Sequence, residues 1–177
     1  MIVASPVKFE NGEGHFVYLD ECTASIEATG VRICSDRAGR GDMTAASVEA
    51  LNEVIATASF LDPYGFVVTA SHPGECTLRV PFAPALERPG GIVSGLTLMG
   101  AADVAMWLAV MTLRGTGEFW VTSDMKTAFL RSARAEDVVC TARILKPGKR
   151  VMYGTVESHA AEAGLVAHHV LTYSRVD

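Results

Sequence analysis

Apolar residues run almost unbroken through 95–113, GLTLMGAADVAMWLAVMTL, where Asp103 is the single ionisable residue. Apolar side chains on every face predict a helix that is covered on every side. Its length approaches the roughly 20 residues that cross a bilayer. The mid-segment acid, two glycines and the strand-like segments that follow favour instead a helix buried in a domain. Upstream, MTAASVEALNEVIATAS (43–59) sets Ser47 before an amphipathic run and predicts a first, capped helix. FVVTASHPGECTLRVPFA holds two β-rich runs around His72-Pro73-Gly74-Glu75 and reads as a hairpin. The loop ALERPGGIVSG then leads into the central helix, with Ser94 as its N-cap.

Beyond Gly115 and Gly117 the pattern turns strand-like: FWVTSDMKTAFL, DVVCTARILK, VMYGTVESHA and LVAHHVLTYSRV. Turns are expected at 132–136, at Pro147-Gly148-Lys149 and at 161–164. One long helix ahead of a run of antiparallel strands is an α+β layout, with the sheet wrapped on the helix. Residues 1–42 fit less well. HFVYLDEC and GVRICSD suggest a small hairpin and RAGRGD a flexible link, so the expected division is an N-terminal extension over 1–42 and a complete domain over 43–177.

Composition narrows the partners. The chain has 177 residues, 49% hydrophobic and 20% charged, enough apolar material for a proper core. A formal net charge of −5 without a dense Lys/Arg patch argues against nucleic acid or an anionic membrane surface as the main partner. Cys22, Cys34, Cys76 and Cys140 form no CxxC pair, and no signal peptide precedes them. Neither a disulfide framework nor a zinc site is expected, and a reducing cytoplasm is the expected compartment. His168-His169 is no metal pair, because adjacent strand residues point to opposite faces.

Three pieces in order carry a family resemblance. SGLTLMGAAD places Ser94-Gly95-Leu96 at the helix start and Asp103 eight residues after Gly95. Val121-Thr122-Ser123-Asp124-Met125 with Phe129-Leu130-Arg131-Ser132-Ala133 follows, and then the turn Gly148-Lys149-Arg150. Over about 43–176 the chain resembles the hotdog-fold acyl-CoA thioesterases of the phenylacetate-degradation type. Three positions depart from that family: Ser94 stands for the usual His, Leu96 for a second Gly, and Arg88 where an Asn or Gln is common.

The resemblance implies a hotdog fold, an acyl-CoA substrate, no cofactor, Asp103 as base or nucleophile, and Thr122 beside it orienting water or the intermediate. Gly95 and Leu96 would offer helix N-terminal amides to the developing oxyanion. Asp103 lies about 12 Å further along the helix axis. One carbonyl cannot touch both, so the site is expected to be shared across a homodimer, which a dimer of dimers would repeat. Met99, Met106 and Trp107 are candidate walls for an aryl or medium-chain acyl group. Arg88 and Ser94 are further candidate substrate-binding residues, and Arg131, Lys149 and Arg150 suit the phosphates of coenzyme A. The bland readings stay open: a structural buried Asp, an ordinary strand Thr, a packing Gly and solvated basic residues. A hydratase is disfavoured because no His occurs between His72 and His159. A non-catalytic acyl-CoA binder or a structural hotdog protein is the rival.

Overall fold

The computed structural model describes residues 44–176 together with 26–27 and 30–31. Residue contacts divide the chain into Met1–Gly41 and Asp42–Asp177. In the first unit β1 (Ile26–Glu27) pairs antiparallel with β2 (Gly30–Val31). The first arm expected for the N-terminal hairpin, 15–22, and the link 37–42 lie outside the described residues.

In the second unit α1 (Val48–Thr57) starts where Ser47 Oγ accepts from the Ala50 amide. A 3-10 segment, Ser59–Tyr64, follows, then β3 (Val67–His72) and β4 (Glu75–Val80) around the expected turn. The Gly-rich loop is more ordered than its composition suggests. It contains a 3-10 turn, Pro84–Leu86, and a short ladder of β5 (Glu87–Arg88) with β6 (Ile92–Val93). Next come α2 (Gly95–Arg114), β7 (Trp120–Phe129), β8 (Val138–Pro147), β9 (Val151–Ala160) and β10 (Gly164–Arg175). Six strands form one antiparallel sheet in the order β3-β4-β8-β9-β10-β7, wrapped around α2. This is the α+β hotdog architecture.

Period-two alternation builds the sheet's inner face. Val138, Cys140 and Ala142 of β8, Met152 and Val156 of β9, and Ala167 and Leu171 of β10 are all buried against the helix. Gly154 is required there, since a Cβ would collide with the main-chain carbonyl oxygen of Arg143 on β8 and would also sit 2.6 Å from Met106 Cε. The sheet covers α2 on all but one stripe. Leu96, Met99, Gly100, Asp103 and Trp107 recur at helical spacing along it and remain wholly or partly exposed.

The two sheet edges differ. At β3 the Asn52 side chain of α1 stands in for a neighbouring strand: its Nδ2 donates to Val68 O at 3.1 Å and its Oδ1 accepts from Val68 N at 2.9 Å. The ten-residue edge of β7 has no strand beside it among the described residues. A long bare edge is a template for another chain.

Four adjacent strands are also tied through their side chains. Thr127 Oγ1 meets His169 Nδ1 at 2.9 Å, His169 Nε2 meets Ser158 Oγ at 3.0 Å, and Ser158 Oγ meets Cys140 Sγ at 3.3 Å. Burial, aided by the neighbouring His168, pushes the His169 imidazole from its ordinary 6.5 down to about 4. The unfolded chain therefore binds this proton first. Stability from this group is intact above pH about 6.5 and declines as the pH falls to about 4, by on the order of 3 kcal/mol. Urea midpoints across that window should fall less steeply for His169→Gln than for the wild type, and parallel curves would refute the assignment.

Candidate active site

Asp103 sits on the open stripe of α2, half-buried, where two hydroxyls converge on one of its oxygens. Thr122 Oγ1 donates to Oδ1 at 2.5 Å and Tyr173 Oη donates to Oδ1 at 2.7 Å. The phenol also lies 2.8 Å from the main-chain carbonyl of Asp103. No hydrogen bond from a described residue reaches Oδ2. Burial first, and then the Asp103 charge, hold the Tyr173 hydroxyl far above the ordinary phenol range, so it stays a donor.

A β-bulge makes this convergence possible. Tyr173 is paired with Thr122, whereas Thr172 is paired with Asp124, so Ser123 is the extra residue. Before the bulge, Trp120, which is buried, and Thr122, which is exposed, are on the side of the helix. After it the inward parity is odd: Met125 packs on the core, Thr127 bonds His169, and Phe129 rests against Gly95. The extra residue re-aims Thr122 at the acid. Ser123 is anchored in turn, its Oγ donating to Thr172 O at 3.1 Å and accepting from Ser174 Oγ at 3.1 Å. Beside Asp103 lies a cavity of about 200 Å³ walled by Phe60, Val104, Trp107, Trp120, Thr122 and Tyr173. Apart from the oxygens of Asp103, Thr122 and Tyr173, its lining is aromatic rings and Val104.

A second cavity, about 320 Å³, opens at the start of α2 between Arg88, Gly95, Phe129, Leu130, Arg131 and Ser132. Ser94 Oγ accepts from the Thr97 amide at 3.1 Å and meets Thr97 Oγ1 at 2.9 Å. That leaves the amide hydrogens of Gly95 and Leu96 without an acceptor among the described residues, as expected for the first two positions of a helix. Gly95 has a packing role as well, because a Cβ there would lie 3.1 Å from Phe129 Cζ.

The residues singled out from the sequence thus separate into groups. Asp103, Thr122 and Trp107 share the aromatic cavity, while Gly95, Arg88 and Arg131 share the other. Leu96 and Met99 are exposed on the stripe between them. Met106 is corrected: it is fully buried beneath Gly154 and walls neither cavity. Ser94 is turned into the helix as its cap and does not line the opening beside Gly95. Lys149 and Arg150 belong to the β8–β9 turn at the far end of α2, where Arg114 donates to Gly148 O at 2.7 Å, well away from Arg131. Tyr173, Phe60 and Trp120 were not anticipated. Tyr173 carried a usable signal, since an inward-facing Tyr on a core strand must find a partner for its hydroxyl.

The family model of the thioesterase superfamily matches residues 90–167, from the loop before α2 into β10. A provisionally named esterase of Thermoplasma acidophilum is 28% identical over 125 residues, covering 71% of this chain and 94% of its own. A Haemophilus influenzae thioesterase structure superposes with TM-score 0.69 at 19% identity, covering 76% of this chain and 95% of that one. The E. coli PaaI protein of the phenylacetic acid degradation operon superposes with TM-score 0.62 at 18% identity over 74% of this chain and 97% of that one. At such identities the two structures speak for the fold.

Proposed function

We propose that this chain, a hotdog-fold protein of the thioesterase superfamily, hydrolyses acyl-CoA thioesters at a site completed only by a second copy of itself. The observation that carries this reading is the placement of two half-sites on one helix. The acid and its aromatic cavity, beside Asp103 and Trp107 of the uncovered stripe, lie two turns from the free amides and the arginine-flanked cavity, which meets α2 at Gly95 and Leu98. A two-fold axis that brings Asp103 to Gly95 of the partner subunit passes through the midpoint between those positions, beside Met99 and Gly100. Phe129 lies against Gly95 and Thr122 bonds Asp103. The same axis therefore crosses the middle of β7 and sets its bare edge against the partner's.

Asp103 acts there as general base or as nucleophile. On the base route Oδ2 takes a proton from water while the water oxygen adds to the thioester carbon. The oxyanion meets the amides of Gly95 and Leu96 of the partner subunit. Collapse breaks the C–S bond, and the sulfur leaves as a thiol with the proton Asp103 holds, giving a carboxylic acid and free coenzyme A. Phe60, Trp107 and Trp120 suit an aryl or medium-chain acyl group, and Arg88 and Arg131 suit coenzyme A phosphates. The test is thiol release from a panel of acyl-CoAs. Saturable acyl-CoA binding with release no faster than the blank would make the chain a binder.

Gly100 tests the shared site. A Cβ at this position meets nothing within 4 Å in its own protomer, and arginine is a far better helix former than glycine. Gly100→Arg should keep the protomer's fold by circular dichroism, sediment as a monomer, and lose turnover. An oligomeric, fully active variant, or an active monomer, would remove the two-chain site.

A further inference from the structure

We propose that Tyr173 is a positioning residue for the reaction assigned above: its hydroxyl straps the Asp103 carboxylate to the main chain of Asp103 itself, fixing Oδ1 and leaving Oδ2 as the reacting oxygen. The inference rests on the thioesterase reading, and the geometry that carries it is a single phenol hydrogen with two acceptors. Oδ1 lies 2.7 Å away and the Asp103 carbonyl 2.8 Å away. A hydroxyl that bridges both atoms defines the side chain's rotamer against its own helix. Thr122, directly across the ladder from Tyr173, donates to the same oxygen, so both available protein donors are spent on one side of the carboxylate.

The second acceptor has a consequence during turnover. While Asp103 is ionised, the charge-assisted bond to Oδ1 takes the phenol hydrogen. When the carboxylate is protonated or acylated, its pull on that hydrogen weakens, and the main-chain carbonyl is already in place to receive it. No buried donor is orphaned at either stage. Tyr173 is 2% exposed, and both acceptors of its hydroxyl hydrogen are protein atoms.

Tyr173→Phe removes the strap while leaving Thr122 on Oδ1 and the helical hydrogen bond on the Asp103 carbonyl. For an acyl-CoA that the wild type hydrolyses, kcat should fall about 10- to 100-fold with KM within about twofold. In an Asp103→Asn background the same change should cost little more. Isotope-edited infrared spectroscopy gives an arm that does not depend on turnover: the carboxylate band absent from Asp103→Asn should shift in Tyr173→Phe. Should the Phe variant fail to fold, 4-aminophenylalanine at 173 keeps the ring and a weaker donor, and should move kcat and the band part of the way. A band unmoved in the folded variant, or an unchanged kcat, overturns the positioning role. A wild type without thiol release but with the band shift overturns the thioesterase reading instead.

Discussion

Asp103→Asn should lower kcat for a good acyl-CoA by about 100- to 10,000-fold while substrate binding persists. The amide keeps the shape of the side chain but can neither take a proton from water nor attack a carbonyl. Stability should hardly change. In the 95–113 segment the acid looks stranded among apolar residues, yet in the fold it is half-buried on the open stripe of α2, and its charge is met by two hydroxyl donors. The Asn oxygen can accept from Thr122 and Tyr173 just as Oδ1 does, and its NH2 then points where Oδ2 faced the cavity. Replacing charge-assisted bonds by neutral ones costs about 1 kcal/mol, and relief from partly burying a charge offsets it. Activity and stability therefore separate. The decisive measurements are kcat and the urea midpoint for both proteins. An Asn variant that melts early but turns over normally per folded molecule would make Asp103 a structural acid.

Local rules placed most of the elements. The His72–Glu75 turn, the Ser94 cap and the alternation of VMYGTVESHA are written within a few residues of where they act. What the sequence concealed is non-local or depends on which face is used. Nothing in VTSDM marks Ser123 as a bulge, so the parity that aims Thr122 and then Thr127 inward emerges only from pairing with β10. Tyr173 reaches Asp103 across 70 residues of chain. Met106 and Trp107 are neighbours in a helix that is apolar all round, and hydrophobicity could not say which faces the sheet. In the fold Met106 goes under Gly154 and Trp107 to the stripe. The apolar character of that stripe has its own explanation if a second α2 covers it, and this links the helix that seemed overly hydrophobic to the site that seemed incomplete.

Leu96→Pro should reduce turnover by about 100-fold or more, the cost of removing one donor from an oxyanion site. Leu96 is the second residue of α2, where proline is tolerated because the amide hydrogen has no helical acceptor. Its side chain is 79% exposed, so the protomer loses little packing and the circular dichroism spectrum should be retained. Gly95→Val should give a comparable loss for a different reason. Its Cβ would press on the Phe129 ring at 3.1 and 3.3 Å, and its branches would enter the cavity where the thioester must lie, while its own amide remains. Phe129 is 55% exposed and can swing aside, which keeps the fold but not the space. The pair thus separates a missing donor from a blocked opening: proline should spare KM and lower kcat, whereas valine should raise KM as well. Near-normal turnover in both folded variants would take the oxyanion from the start of α2 and leave the two unpaired amides as ordinary features of a helix end.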